Sequence, residues 1–264
     1  MKKPPYEKSP AYIIPEQGAR QIIGNPYTKE NPSNDGSYLE NSHSNNIEIK
    51  WEYFPNMGEI ISLGAYGKII NEPIERVSKL KGGTDITYTY QNFQDKGYAT
   101  GVEFVFRKKL GSLFTGFNAA YIYTLVKTSK TNNENAEKRS LQGASPYLIN
   151  ADLGYELKYG KDKKYRSYIS LVYNVFGKRL FSVGISGAGN QYEMPINTLD
   201  FILKNKISKK WSFDIYAKNI LNAKHTIKQD VYENMQSPNE ITNHIVTYQF
   251  QEGINIGFKI KYSL

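Results

Sequence analysis

The connections between the candidate strands of this chain alternate short and long from one end to the other. That rhythm restricts the fold more than any single motif. The strands show themselves by period-two alternation. Ile47, Ile49, Trp51 and Tyr53 alternate with Asn46, Glu48, Lys50 and Glu52, and the run stops at Pro55-Asn56-Met57-Gly58. Ile61, Leu63, Ala65, Gly67 and Ile69 then alternate with Ser62, Gly64, Tyr66 and Lys68, completing a hairpin. A second hairpin joins Val102, Phe104 and Phe106 to Phe117, Ala119, Tyr121, Tyr123 and Leu125. A third joins Ile149, Ala151, Leu153 and Tyr155 to Ile169, Leu171, Tyr173 and Val175, and a fourth joins Leu199, Phe201 and Leu203 to Phe213, Ile215 and Ala217. The last strand sets Ile256, Phe258, Ile260, Tyr262 and Leu264 against Gly257, Lys259, Lys261 and Ser263.

Tight turns are expected near Pro55, Lys109, Gly160 and Lys209, and long polar loops at 71–97, 127–146, 177–196 and 221–250. Hairpin strands run up and down, so the short turns share one end and the long loops the other. Loops of this length are uncommon in compact soluble domains, whereas membrane barrels combine short periplasmic turns with long extracellular loops. Charge placement agrees. Glu48, Lys50, Lys68, Glu103, Arg107, Asp152, Asp200, Lys204, Asp214, Lys218, Lys259 and Lys261 all fall on the polar faces. An ionised side chain facing lipid at mid-depth costs about 2–4 kcal/mol, so these faces line a wet interior. Trp51, Tyr53, Phe54, Phe104, Phe106, Phe114, Phe117, Tyr155, Tyr159, Trp211 and Phe213 lie near the short turns, where an interfacial aromatic girdle belongs.

Composition permits this reading without selecting it. Of 264 residues 39% are hydrophobic and 22 are tyrosine. Mean hydropathy is −0.57. No apolar run approaches the roughly 18–20 residues of a membrane helix, and Met1-Lys2-Lys3 is followed by no apolar core of a signal peptide. Barrel strands need apolar residues only at alternate positions, so a transmembrane barrel and a soluble β-protein both stay open on composition. Residues 1–45, rich in Pro, Gly, Asn and Ser, are expected to be mostly loop, and 46–264 a meander of hairpins. The net charge of +9 sits on loops and polar faces; no zinc-finger spacing, RNP-like motif or basic helix points to nucleic acid.

Chemistry is sparse. The chain has no cysteine, and its histidines, His43, His225 and His244, fall in expected loops away from i,i+4 spacing, so neither a metal nor a cofactor is expected. Ser186-Gly187-Ala188-Gly189-Asn190 lacks the Lys-Ser/Thr of a phosphate loop and is expected to be flexible. No carboxylate pair suggests an enzyme. Loop aromatics Tyr88, Tyr90, Phe93, Phe181, Tyr192 and Tyr232 are candidates for stacking on a sugar or an aromatic siderophore, with ordinary packing as the alternative.

GNPYTKENP, NNIEIKWEYFPNMGEIISLGAYGKIINEPIE, GYATGVEFVFRKKLG, LQGASPYLINADLGY, VYNVFGKRLFSVG, DIYAKNILN and GFKIKYSL follow one another over nearly the whole chain. In order and spacing they resemble the C-terminal part of a TonB-dependent outer-membrane receptor of the Bacteroidetes type. The resemblance implies an all-β, antiparallel up-and-down transmembrane β-barrel, here about nine strands of 22, in the outer membrane of a Gram-negative cell. It implies uptake of a scarce ligand such as a siderophore, cobalamin or glycan, powered through TonB and a plug domain that this chain is expected to lack, so that the chain does not transport alone. Outer-membrane lipid, the barrel-assembly machinery and a surface lipoprotein are the partners it implies. Alternatives from other classes are a soluble or surface β-protein that binds carbohydrate or another macromolecule, and a small stand-alone pore. Ile256, Phe258, Ile260, Tyr262 and Leu264 resemble the C-terminal assembly signal of such barrels, whose last residue is usually aromatic. Leu264→Phe in the full-length receptor is therefore expected to raise outer-membrane yield. An unchanged yield in fractionated membranes would count against that role.

Overall fold

The computed structural model describes residues 20–22, 39–81, 85–93, 95–127, 138–185, 188–208, 210–232 and 241–263. Its strands, numbered β1 to β17 along the chain, form two sheets. The larger is a wall of nine strands: β2 (His43–Tyr53), β3 (Ile60–Asn71), β6 (Gly97–Leu110), β7 (Leu113–Lys127), β9 (Tyr147–Tyr159), β10 (Tyr165–Phe176), β13 (Ile196–Lys206), β14 (Trp211–Lys218) and β17 (Asn255–Tyr262). They stand side by side in chain order, each antiparallel to the next. The two-residue β8 (Lys138–Arg139) adds to the end of β7.

Register settles what each face carries. Trp51 lies opposite Leu63, which lies opposite Phe104, and Phe104 lies opposite Ala119. The row ending Ile215 to Phe258 continues that face across β14 and β17. On the other face Arg107 stands opposite Gly116, Gly116 opposite Asp152, and Val172 between Asp152 and Asp200. Every charged residue placed on the polar faces by the alternation falls on this inner face. The large exposed apolar residues of the wall, from Ile49 at 74% to Ile256 at 73%, are almost all on the outer one. Trp51 stacks on Tyr53, and Trp211 lies against Tyr262 near the short turns. Phe114 corrects the girdle: it pairs with Gly154 on the inner face and packs edge-on against Tyr168 at 5.8 Å.

Short turns join the wall strands at one end. Gly58 (φ 82°) and Gly111 (φ 62°) take left-handed conformations that other residues adopt at a cost. Glu59 ties two of these turns together. Its carboxylate accepts from the Asn56 side-chain amide at 2.8 Å and from the Lys109 backbone N–H at 3.1 Å. The Asn56 bond first, and the Lys109 bond second, hold its pKa below the usual carboxylate range.

The far end departs from expectation. Three of the four connections read as polar loops are β-hairpin elements of a second, upper sheet. The reading missed β4 (Ile74–Lys81) and β5 (Asp85–Asn92), β11 (Arg179–Ile185) and β12 (Gln191–Glu193), and β15 (Lys224–Tyr232) and β16 (Ile241–Gln251). With β1 (Arg20–Ile22), which lies inside the stretch expected as mostly loop, they stand in the order β1-β5-β4-β11-β12-β15-β16. The β1–β5 and β4–β11 pairings are parallel. Consequently His225 and His244 lie on strands β15 and β16 rather than in loops, and His43 is on the wall strand β2. Strand β2 begins at His43, three residues before the alternation shows it. Ser186, Gly187 and Leu264 lie outside the described residues, but Ala188-Gly189-Asn190 is a packed turn, buried throughout, not a flexible loop.

Inner-face glycines are where wall strands accept a neighbour's ring. Tyr66 lies across Gly101, its register partner on β6, where an added Cβ would sit 2.7 Å from the ring. Tyr168 covers Gly154 and Tyr216 covers Gly257 in the same way. Each ring shields a backbone that lacks a side chain of its own. Gly101→Ala is expected to cost about 1–3 kcal/mol through overpacking. In urea unfolding of the detergent-folded chain, Gly101→Ala/Tyr66→Ala should lose less than the two single losses added. Strict additivity would show that the ring and the glycine are not coupled.

Candidate functional site

The upper sheet is held by a small apolar centre and a larger polar one. Val77, Leu180 and Val183 are buried together, with Phe93, Ile185 and Tyr192 packed around them. Ser78, Ser182, Asn190, Gln191, Gln229 and Asp230 are buried as well. Burial of polar groups demands partners. Gln191 supplies several: its Oε1 accepts from the Tyr88 hydroxyl at 2.7 Å, and its Nε2 reaches Gln229 Oε1 at 3.4 Å. Asn190 Oδ1 accepts from the Gly184 N–H at 2.9 Å, and its carbonyl accepts from the Asp230 N–H. Burial raises the pKa of Asp230, and His244, 2.9 Å away, pulls it part of the way back.

A buried ion pair locks three separate connections into this unit. Arg139 Nη2 lies 2.5 Å from Glu75 Oε2, with side chains only 2% and 3% exposed. Glu75 Oε1 also accepts from the Gln142 N–H at 2.8 Å. The Gln142 side chain then bridges the other way, accepting from the Arg76 N–H at 2.6 Å and donating to the Phe181 carbonyl at 2.5 Å. Beside it the Gly143 N–H donates to the Leu180 carbonyl at 2.9 Å. Thus β4, the 138–145 segment and β11 form one body. The guanidinium of Arg139 rests over the Phe93 ring at 4.6 Å and that of Arg76 over Phe181 at 4.4 Å. In both arginines Nε lacks a hydrogen-bond partner, so the aromatic faces take up part of the cations' solvation.

The aromatics singled out in the sequence divide by position. Tyr88 is 3% exposed and meets Phe181 edge-to-face at 6.0 Å, so both belong to the sheet's interior packing. Phe93 and Tyr192 flank the apolar centre, Tyr192 under the Lys178 ammonium at 3.9 Å. Tyr90, opposite Arg76, and Tyr232, opposite Ile241, are half-buried on their strands. The described residues therefore bring Phe93 and Tyr192 together around the Val77 centre and Tyr88 against Phe181 in a second contact, on the Ser78 face of β4. Sequence reasoning missed Glu75, Arg139 and Gln142, whose partners are 64 to 67 residues apart.

Below this body, a cavity of about 490 Å³ lies between it and the inner wall. Tyr66, Lys68, Ile122 and Thr124 line it from the wall, and Glu75, Leu141 and Gln142 from the upper side. Two side-chain corners tie the upper ends of the wall strands together, one of them, at Ser145, next to the cavity residue Ala144. The Asn219 N–H donates to Asp200 Oδ1, and its amide donates to the Gly253 carbonyl at 2.9 Å, joining β13, the end of β14 and the start of β17. Ser145 Oγ accepts from the Gly177 N–H at 2.7 Å and donates to the Tyr147 carbonyl at 2.7 Å, joining β9 to the end of β10. A volume of this size with mixed polar and apolar lining suits a small ligand. Among the described residues no group of His, Asp and Glu is arranged to hold a metal.

The family model for the TonB-dependent receptor-like β-barrel matches residues 14–220. No curated protein matches the chain. Two mutant forms of the ferric enterobactin receptor PfeA of Pseudomonas aeruginosa share its fold, with TM-scores of 0.51 and 0.50 at 18% identity. Each alignment covers 92% of this chain and 32% of the receptor, so the chain spans about a third of that protein's length.

Glu75→Gln leaves Arg139 buried beside a neutral amide. It is expected to destabilise the upper sheet by about 3–5 kcal/mol, with faster amide exchange in β4 and β11 than in β9 and β10. Arg139→Met/Glu75→Leu should cost less than either single change. A Glu75→Gln variant as stable as wild type, with unchanged exchange in β4 and β11, would show that the pair is not the fastening.

Proposed function

Because the chain belongs to the TonB-dependent receptor β-barrel family, whose members are transporters rather than enzymes, we propose that it forms part of the wall and extracellular end of an outer-membrane receptor. In this reading its outer face meets lipid and its inner face lines a wet interior. The observation that carries the reading is the two-faced wall: apolar rows outside, charged rows inside, short turns at one end and an upper sheet at the other. The short turns then lie at the periplasmic side and the upper sheet at the cell surface. The strands β2 and β17 each present an unpaired edge among the described residues, so we assign transport to a closed barrel rather than to this segment alone.

Such a receptor takes up a scarce ligand with energy delivered through TonB and a plug domain, in the outer membrane of a Gram-negative cell. Insertion through the barrel-assembly machinery and contact with a surface lipoprotein belong to the same proposal. For the ligand we propose a siderophore, cobalamin or glycan held in the cavity beneath the upper sheet. Tyr66 is the aromatic that lines that cavity; Tyr90 and Tyr232, on β5 and β15 away from its lining, are proposed as stacking positions nearer the cell surface, and Tyr88, Phe93, Phe181 and Tyr192 as packing that fixes the upper sheet. The PfeA likeness is consistent with an iron-chelate ligand, but at 18% identity it supports the fold alone.

Charge substitution tests the two faces separately. Leu171 is at the middle of β10 on the outer face and 42% exposed. Leu171→Arg is expected to cost about 2–4 kcal/mol of folding free energy in lipid vesicles. Val172, its neighbour, points inward between Asp152 and Asp200. Val172→Arg should cost far less. Equal costs in the two variants, or a chain monodisperse in buffer without detergent, would count against the membrane reading.

A further inference from the structure

Two buried donors on one face of the upper sheet have nothing to bond to. Along the parallel ladder of β4 and β11, Val77 is opposite Val183 and Ser78 opposite Gly184, so one step back Arg76 and Ser182 are neighbours on the Ser78 face. A bulge at 180–182 brings Phe181 beside them, and its ring lies under the Arg76 guanidinium at 4.4 Å. The ring covers the flat side of the cation. It offers no acceptor to the N–H groups in the guanidinium plane, and Arg76 Nε is buried without a partner among the described residues. Ser182 is fully buried, and its Oγ has no partner there either. The polar groups around them are engaged elsewhere: Ser78 Oγ with the Val183 carbonyl, the Tyr88 hydroxyl with Gln191, and Gln191 with Gln229. Arg139, the comparable cation on the Glu75 side of β4, has its carboxylate. Arg76 has none among the described residues, since Glu193 on β12 pairs with Arg179.

We propose that Arg76 and Ser182 form a binding site for an oxyanion, a carboxylate or phosphate group, at the junction of β4 and β11. A buried donor left unbonded is costly, the more so when it is charged, and one acceptor group answers both donors and the charge together. The guanidinium edge that carries Nε presents two parallel N–H groups, a fork that matches two oxygens held on one atom. The Ser182 hydroxyl adds a third donor from the adjoining strand. Chloride, a single atom, cannot fill the fork. Arg76 is only half-buried, so an anion reaches the pair from its side. Gln142 is the positioning residue. It accepts from the Arg76 N–H at 2.6 Å and donates to the Phe181 carbonyl at 2.5 Å, which fixes the backbone on both strands. Neither Arg76 nor Ser182 lines the cavity below, so this site is separate from it. It requires only the upper sheet and does not depend on the membrane reading. An anion held there bonds β4 to β11 and stabilises their junction as the site fills.

The test follows amide exchange in the detergent-folded chain as sodium phosphate or sodium acetate replaces sodium chloride at constant pH and ionic strength. At least one of the two oxyanions should slow exchange in β4 and β11 severalfold and saturably, with β9 and β10 unchanged. Protection by acetate alone assigns the site to carboxylates, and by phosphate alone to phosphate groups. Ser182→Ala removes an unpartnered hydroxyl, so in chloride it should be at least as stable as wild type, yet it should need at least tenfold more oxyanion for the same protection. Arg76→Lys keeps the charge and loses the fork; it should weaken binding as much, with the β-sheet circular dichroism unchanged. Lys79→Gln, which removes an exposed cation of the same strand, should leave binding unchanged. Exchange that is indifferent to both oxyanions overturns the proposal. So does protection that survives both Ser182→Ala and Arg76→Lys, or that is lost equally in Lys79→Gln. A Ser182→Ala variant less stable than wild type in chloride overturns it too, because the hydroxyl then already has a partner. A chain monodisperse in buffer without detergent defeats the membrane reading alone, and the same titration in that buffer decides the anion site.

Discussion

Backbone hydrogen bonding governs this molecule. In hydrocarbon no water is present to satisfy a free N–H or C=O, so a chain that crosses with strands pairs every strand with a neighbour. The wall meets that demand through eight consecutive antiparallel ladders, from β2–β3 to β14–β17. Once the ladder is fixed, alternation does the rest: a one-residue slip would turn Lys50, Glu103 and Asp152 toward lipid and Ile49, Val102 and Leu153 inward. Register is therefore strongly specified although neither face is a conventional core. The same demand explains the inner glycines. Where Gly101, Gly154 and Gly257 leave the backbone bare, a tyrosine from the next strand lies over it.

Period two is readable in a sequence only where the two faces meet different surroundings. The wall satisfies that condition, and its strands, turns and polarity were legible from residues such as Ile47 to Tyr53 and Ile256 to Tyr262. The upper sheet does not. Val77 and Ser78 are neighbours on opposite faces of β4, and both are fully buried. So are Ser182 and Val183 on β11, near enough. With both faces covered and half the interior polar, β4 and β11 show no alternation; β16, exposed on both faces, shows none either, and these hairpins read as polar loop. The pairings that join one hairpin to the next offer no local clue either, since β4 with β11 and β1 with β5 are parallel and join segments far apart in sequence. His225 and His244, on β15 and β16, were misplaced because these hairpins read as loop, and His43 because β2 begins before its alternation does.

The candidate site was legible in its residue types but not in its assembly. Aromatic content marked Tyr88, Phe93, Phe181 and Tyr192, yet nothing local distinguishes a ring that packs from one that stacks on a ligand. The fastening residues had even less signal. Arg139 sits in a run of polar residues, and Glu75 in a stretch without pattern; only the fold shows them 2.5 Å apart and dry. One trace did exist. The LQGASPYL segment carries part of the family resemblance, and the structure supplies its physical content: Leu141 over Gly97, Gln142 between Arg76 and Phe181, Gly143 on Leu180, Ser145 on Gly177.

That segment also shows how wall and upper sheet act on one another. A hairpin loop standing alone above a barrel is free to sway, because its contacts are local and its backbone is solvated. Here each connection is bonded to the next: the loop after β7 to β4 and β11 through Gln142, β11 to β4 by a parallel ladder, β12 to β15 by an antiparallel one, and the corner at Asn219 to both Asp200 and Gly253. Displacing one connection therefore means breaking hydrogen bonds in its neighbours, and the cost is shared around the circumference. For the ligand proposed to occupy the cavity below, the shape of this surface would be set before it arrives, so binding would carry less ordering cost. The buried Arg139–Glu75 pair suits that purpose better than an apolar contact of the same size, since its geometry tolerates few alternatives.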